Sequence, residues 1–169
     1  FLGRDRDPWM LTGDPSAPNF SVPDLTIPTD ISSQRFSGRE QLLRQLDQRV
    51  NHAERGGSLE RFNAWQQQAF DLVRSPNARK AFDLNLETEQ TRERYGKTRF
   101  GQSVLLARRL VEAGVSLVQV NWTRLPNNAP NSGTWDTHTK NADSVRNWLM
   151  PPTDQAYTAL LEDLEQRGL

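Results

Sequence analysis

The stretch Trp135-Asp136-Thr137-His138 is the one short cluster in this sequence that combines a carboxylate with an imidazole. Side chains at positions i and i+2 of an extended segment point the same way, so Asp136 and His138 could reach one centre. A carboxylate and a neutral imidazole suit a divalent metal such as zinc. A catalytic zinc site needs about three protein ligands and an open position. The spacing alone therefore leaves two interpretations open, metal ligation and a solvated or hydrogen-bonded Asp–His pair.

Other candidates for chemistry are weaker. His52, the only other histidine, lies off the apolar stripe of its predicted helix and is interpreted as a surface residue. We find no nucleophile elbow, P-loop or dinucleotide fingerprint, and no catalytic residue is assigned. A locally basic stretch precedes the cluster, and it fits either a solvated helix face paired with nearby glutamates or a phosphate-binding surface. Its cations are Arg92, Arg94, Lys97, Arg99, Arg108 and Arg109.

A helix followed by a strand is predicted to position the Asp–His cluster. Thr98 can cap a helix that Gly114 stops, and the β-rich run 115–120 follows directly. A short run of this kind is typical of an interior strand of an α/β sheet. Ligands of such sheets bind beyond the carboxyl ends of the strands, and the loop with Asp136 and His138 lies there. The expected fold class is therefore α/β, mostly helical, with at least one interior parallel strand.

We expect a single partial domain with three parts. Residues 1–36 form a proline-rich extended arm, whose apolar residues are too many for a free tail. Residues 37–96 form a helical insertion or cap, and residues 97–169 form a helix-strand-loop-helix portion of the core. Five helices are predicted besides the one over 98–113. The first runs from a Ser37 capping box to Gly56-Gly57, and the second starts at Ser58 and ends before Ser75-Pro76. The others run from Pro76 to Phe82, from Glu87 to Tyr95, and from near Asn141 to Gly168 with an interruption at Pro151-Pro152.

Composition narrows the class of protein. The 169 residues include 21 basic and 21 acidic side chains, which leaves no electrostatic footprint for nucleic acid. No apolar run approaches the roughly 18 residues of a membrane span. The hydrophobic fraction of 35% is low, so the core is expected to be thin or completed by other polypeptide. Because the chain opens at Phe1 without a signal peptide, we interpret it as an internal fragment.

Five ordered strings resemble the domain of unknown function 1501 family of planctomycetes and related bacteria. They cover 94–102, 105–115, 135–138, 149–156 and 161–169. The family is placed in the alkaline phosphatase and sulfatase superfamily, so the resemblance implies an α/β fold and a divalent metal held by Asp and His. It implies Asp136 and His138 as ligands, without deciding among zinc, calcium, magnesium and manganese. The remaining ligands and the nucleophile of that pattern are outside this chain.

The resemblance leaves two functions open. The first is part of a metal-dependent hydrolase of phosphate or sulfate esters, glycan esters included, that is exported and inactive as this fragment. The alternative is a non-catalytic binding or cell-surface assembly protein on a degenerate phosphatase-like fold. The helical bulk of 37–113, which carries no chemistry of its own, favours that alternative.

Overall fold

The computed structural model divides into two units by its internal contacts. One comprises Phe1–Val22 with Lys80–Leu169, and the other comprises Pro23–Arg79. The residues described are 9–22, 25, 31–32, 34–39, 41–43, 45, 75–124 and 133–169. The candidate Asp–His cluster lies in the first of these units.

Helices dominate the described part of the chain. The labelled elements are α1 (Pro76–Phe82), a 3-10 turn (Leu84–Leu86), α2 (Glu89–Arg94), α3 (Arg99–Glu112), α4 (Asn141–Ser144), a π-helical turn (Val145–Leu149) and α5 (Met150–Arg167). Hydroxyl caps start three of them: Ser75, Thr88 and Thr98 each accept a hydrogen bond from a backbone N–H three residues ahead, at 3.0–3.1 Å. The helices predicted over 76–82, 87–95 and 98–113 are confirmed to within two residues.

The last helix is not interrupted at its proline pair, contrary to the sequence prediction. Residues 145–149 widen into a π-helical turn, and α5 continues through Pro151 and Pro152 to Gly168, which ends it at φ 67°. The two prolines follow the π-helical turn directly and lie in the first turn of α5, where proline is tolerated. The Thr153 hydroxyl donates to the Leu149 carbonyl at 2.7 Å. The result is one continuous helical rod over 141–167.

In the second unit, residues 34–39, 41–43 and 45 are helical. This helix starts earlier than the Ser37 capping box predicts. Ser32 acts as the cap, because its hydroxyl accepts from the Arg35 N–H at 3.2 Å and its carbonyl from the Phe36 N–H at 2.9 Å. The helix predicted from Ser58 lies outside the described residues.

The core of the first unit lies between α3 and α5. The buried side chains that form it are Leu84, Tyr95, Val104, Leu105, Leu106, Ala156 and Ala159. Leu11 and Phe20 of the arm pack against this cluster, so the described part of the arm lies on the helices. The low hydrophobic fraction corresponds to a small core that uses alanines to bring two helices close together.

The predicted strand is wrong, and with it the α/β fold class with an interior parallel strand. Residues 115–120 are not assigned to a strand, and no other described residue is either. Their side chains alternate as in a strand, with Val118 and Val120 half-buried and Leu117 85% exposed. A strand also needs a neighbour for its backbone, and the described residues supply none. High β-propensity here produces extended chain without a sheet.

Among the described residues, no helix combines the length and the apolar character needed to cross a membrane.

Candidate functional site

Asp136 and His138 meet in an exposed loop. The Nε2 atom of His138 lies 3.0 Å from the Oδ2 atom of Asp136, and both side chains are 80% exposed. The sequence argument that i and i+2 side chains point the same way therefore holds for this pair. Either ring nitrogen could carry the proton, so the contact does not fix which atom donates.

An aromatic ladder fixes the start of this loop. Trp135 packs edge-on against Trp122 with ring centroids 5.5 Å apart, and Trp122 packs against Phe100 of α3 at 4.7 Å. The Trp122 indole N–H donates to the Gly133 carbonyl at 2.9 Å. Trp135 is 43% exposed, which leaves part of its ring open beside the pair. The loop is thus anchored to the rigid helix α3 immediately before Asp136.

The pair stands without further metal ligands in the described part of the chain. No group of three or more His, Cys, Asp or Glu side chains is placed there so as to hold a metal ion. The pair can therefore supply two of the roughly three protein ligands of a catalytic centre. The predicted ligation by Asp136 and His138 stays a prediction.

The buried chemistry of this unit lies elsewhere, in a cluster that sequence reasoning missed. We call it the ionic cluster, and it comprises Glu87, Arg94, Arg108, Arg109, Glu112, Asp163 and Arg167. Arg108 is its centre, with only 1% of its side chain exposed. It donates to Glu87 at 2.8 Å and to Glu112 at 2.7 Å. A buried guanidinium with two carboxylates is a paired charge, and it joins α3 to the 3-10 turn region.

Asp163 ties α5 into this cluster. Its carboxylate is 4% exposed, forms an ion pair with Arg94, and accepts a hydrogen bond from the Tyr95 hydroxyl at 3.0 Å. The Nε atom of Arg108 lies 3.4 Å from the same carboxylate, near enough for charge attraction but without hydrogen-bond geometry. Arg167 near the end of α5 donates to Glu112 at 2.7 Å. The charges therefore hold α5 against α2 and α3.

A sequence signal for Asp163 did exist. Ala156, Ala159 and Asp163 are all buried and are spaced by three and four residues on α5. A carboxylate on a helix's buried stripe needs a cationic partner. The identity of that partner was not readable, since Arg94 and Arg108 lie more than fifty residues away along the chain.

The cations of the basic stretch all have partners within the protein. Lys97 pairs with Glu89 and Glu93, and Arg99 donates to the carbonyls of Thr12 and Gly13. Pairing with glutamates was expected for a solvated face, but Arg108 is buried instead. The remaining partners are Gln102 for Arg92, Asp163 for Arg94, and Glu87 with the Lys80 and Ala81 carbonyls for Arg109. The geometry therefore gives the phosphate-binding interpretation no support.

The turn between α2 and α3 is a tightly packed structural unit. Gly96 has φ 84°, a left-handed conformation suited to glycine. The buried amide of Gln102 donates to the carbonyls of Arg92 and Gly96, both at 2.9 Å. A Cβ at Gly101 would lie 2.2 Å from the Tyr95 oxygen. The close approach of backbone atoms and the satisfied buried polar groups account for the residues of this turn, 94–102, as structural, without any ligand.

Comparison with known proteins identifies the family. A family model described as "Protein of unknown function (DUF1501)" matches residues 1–169. The chain belongs to the DUF1501 family. No curated protein and no solved structure matches it.

The strings that carry the resemblance have identifiable places in this DUF1501 chain. Residues 94–102 form the α2–α3 turn with its Gly101 contact, and residues 149–156 lead from the π turn through the proline pair. Residues 161–169 carry Asp163 and the Gly168 cap. In residues 135–138, by contrast, the side chains of Asp136 and His138 are exposed, and the Trp135 ring packs on Trp122.

The ionic cluster makes the stability of the DUF1501 chain decrease at acid pH. Burial raises the pKa of Glu87, but hydrogen bonds from Arg109 and Arg108 outweigh it and leave the pKa below the ordinary value. Burial also raises the pKa of Glu112, and hydrogen bonds from Arg108 and Arg167 again leave it lowered. A lowered folded-state pKa means that the unfolded chain binds more protons as the pH falls through the unfolded value of about 4.3. The resulting stability is complete above that pH and is lost as the pH falls through the folded-state pKa.

We therefore expect the urea concentration at the unfolding midpoint to decrease as the pH is lowered below about 4.3. A Glu87→Gln variant, less stable at neutral pH, should lose less stability on acidification, so the unfolding midpoints of the two proteins converge as the pH falls through the lowered folded-state pKa of Glu87. Circular dichroism at each pH measures both. A difference between the two proteins that stays constant with pH would show that Glu87 does not contribute through its charge.

Proposed function

We propose that this chain is part of a metal-dependent hydrolase of phosphate or sulfate esters, in which Asp136 and His138 supply two ligands of a divalent ion. The observation that carries the proposal is the 3.0 Å approach of the two side chains in an exposed, anchored loop. The reaction class, hydrolysis of phosphate or sulfate esters, is taken from the resemblance of the family to alkaline phosphatases and sulfatases. The α/β fold does not enter the argument.

The donor set fits such an ion. Two ligand atoms of a tetrahedral zinc ion, with bonds of about 2.0 to 2.1 Å, lie roughly 3.3 Å apart. The present separation of 3.0 Å between Nε2 and Oδ2 needs only a small opening of the side chains. Both side chains are exposed and make no other hydrogen bond to a described residue, so they can move apart without breaking core packing. The same exposure leaves open positions for substrate.

Asp136, His138 and Trp135 would have different roles around a bound divalent ion. A bound divalent ion withdraws charge from an ester oxygen and lowers the pKa of a bound nucleophile. Asp136 would contribute an anionic oxygen ligand whose negative charge retains the cation. His138 contributes a neutral nitrogen ligand. Trp135 limits the directions in which the loop can open, because its ring packs on Trp122.

Binding of the metal alone tests the ligand assignment. We expect Zn²⁺ or Mn²⁺ to perturb the His138 ring signals of the wild-type chain in NMR titrations. Removal of a direct ligand should cost at least the roughly tenfold typical of losing an outer-shell partner, so His138→Ala should weaken binding by about that factor or more. His52→Ala is the matched control, since it removes the only other histidine. Equal metal affinity of wild type and His138→Ala would contradict the assignment.

Turnover is a separate measurement. Aryl phosphate and aryl sulfate esters with added divalent ions should be hydrolysed by a complete centre, and Asp136→Ala should abolish that activity. Metal binding without turnover in the full-length protein would leave the ligand assignment standing and remove the hydrolase.

One observation favours the second candidate, a non-catalytic binding or assembly protein. Three cations of the basic stretch, Arg99, Arg108 and Arg109, are engaged by protein carbonyls and carboxylates. Phosphoryl and sulfuryl transfer normally uses cationic side chains to stabilise charge at the reacting group. A binding role needs no such charge.

A further inference from the structure

Lys140 follows the Asp–His pair and has a backbone conformation that does not suit a lysine. Its φ is 51° and its ψ is 39°, and it is the one residue other than glycine with a positive φ in the described part of the chain. A side chain with a Cβ is strained in this left-handed conformation, which glycine and asparagine tolerate best. The sequence therefore places a lysine where the backbone favours another residue.

Lys140 is also a poor helix cap. It directly precedes α4, and its carbonyl accepts a hydrogen bond from the Ser144 N–H at 2.9 Å. Its side chain makes no capping hydrogen bond. Serine, threonine, aspartate or asparagine would supply one, because each has an oxygen acceptor on a short side chain. Neither the backbone conformation nor the cap of α4 explains why this residue is a lysine.

The ammonium group of Lys140 has unused hydrogen-bond donors. The residue is exposed, and its side chain forms no hydrogen bond or ion pair with another described residue. Arg99, Arg108 and Arg109 differ in this respect, because carbonyls or carboxylates of the protein engage their guanidinium groups. Lys140 is therefore a cation that can bind an anionic ligand without giving up a contact within the described part of the protein.

The length of the chain keeps Lys140 close to the Asp–His pair. It is the second residue after His138, so the two Cα atoms are at most about 7 Å apart. A lysine has a flexible four-carbon stem, which can cover a distance of this order. Asp136 and His138 are each 80% exposed, so a ligand bound there would be open to the ammonium group. The loop thus carries two candidate metal ligands and an unpaired cation within reach of one bound anion.

We propose that Lys140 binds the anionic group of the phosphate or sulfate ester, beside the divalent ion held by Asp136 and His138. This inference rests on the proposed function and adds a substrate-binding residue to it. The ammonium group would donate hydrogen bonds to oxygen atoms of the ester and offset their charge. Strained backbone conformations cluster at functional sites, where the role of the side chain outweighs the local cost. The unfavourable backbone of Lys140 agrees with such a role.

Sulfate binding to the zinc-loaded whole chain tests this proposal by NMR. At constant ionic strength, we expect inorganic sulfate to shift the Cε signals of Lys140 and to leave those of Lys80, another exposed lysine, unchanged. Lys140→Asn should weaken sulfate binding, measured at the amide signals of the loop, by about tenfold or more, as for the loss of one hydrogen bond to a charged group. Lys80→Asn is the matched control and should bind sulfate like wild type.

Thermal unfolding separates a binding role from a structural one. Asparagine suits both the positive φ and the cap, so Lys140→Asn should raise the melting temperature by roughly 2–4 °C while it weakens sulfate binding. Sulfate binding as tight as that of wild type would overturn the proposal. A melting temperature well below that of wild type would also overturn it, because Lys140 would then be a structural residue.

The zinc response of the His138 signals distinguishes failure of this inference from failure of the proposed function. If zinc shifts those signals but Lys140→Asn binds sulfate normally, the metal ligands stand and the role of Lys140 is wrong. If zinc leaves the His138 signals of wild type unchanged, the ligand assignment is wrong, and the role of Lys140 beside a metal ion is wrong with it.

Discussion

Replacing Asp163 by alanine is expected to lower the free energy of unfolding by about 3–5 kcal/mol, the usual cost of breaking a buried ion pair. The carboxylate is 4% exposed and faces Arg94, Arg108 and the Tyr95 hydroxyl. Its removal leaves buried cationic groups without their anion and opens a space between α3 and α5. For a chain of this size the melting temperature should fall by roughly 10 °C.

Two further variants show that the loss comes from the buried charge. Glu162→Ala removes an exposed carboxylate from the same helix and should change stability by less than about 0.5 kcal/mol. Tyr95→Phe removes one hydroxyl donor to Asp163 and should cost about 1 kcal/mol. Urea unfolding followed by circular dichroism measures all three. If Asp163→Ala were no more costly than Glu162→Ala, α5 would not depend on the ionic cluster.

Gly101→Ala is expected to destabilise the chain by about 3 kcal/mol or more, at the upper end of the cost of overpacking. The added Cβ would lie 2.2 Å from the Tyr95 oxygen and 2.4 Å from the Gly96 oxygen. These atoms belong to the backbone of a turn that the Gln102 amide fixes, so they cannot rotate away. Alanine would otherwise stabilise a helix by about 1 kcal/mol relative to glycine, and the clash exceeds that gain.

The matched control for this substitution is Gly38→Ala. Gly38 is helical like Gly101, but it is exposed, and a Cβ there would meet nothing within 4 Å. It should be neutral or stabilising by up to about 1 kcal/mol. Thermal unfolding of the two variants separates helix propensity from close packing. A Gly101→Ala protein as stable as wild type would mean that the α2–α3 turn can move away from α3.

Helix ends were the part of the fold that local sequence could predict. The caps at Ser75, Thr88 and Thr98 act within three residues, and Gly114 and Gly168 adopt the positive φ values that end a helix. Ser37 shows the limit of this reasoning. Ser32 offers the same hydroxyl five residues earlier, and in the folded chain the earlier serine is the cap.

The strand prediction failed for a reason that lies outside the segment itself. The run 115–120 has the residue types and the alternation of a strand, yet pairing depends on a neighbour that its own sequence does not contain.

The proline pair led to a different error, because an interruption was predicted where the helix is continuous. Pro151 and Pro152 follow the π turn at 145–149 and lie in the first turn of α5, where proline does not break a helix.

The sequence by itself determined the helices predicted over 76–82, 87–95 and 98–113 and the shared direction of Asp136 and His138, because each depends on neighbours a few residues away. Only the tertiary structure decided that Arg108 is buried rather than solvated, that Asp163 is its distant partner, and that 115–120 does not pair with a strand among the described residues. Burial and ion pairing depend on which surfaces meet, and that is set by contacts between residues far apart in the chain.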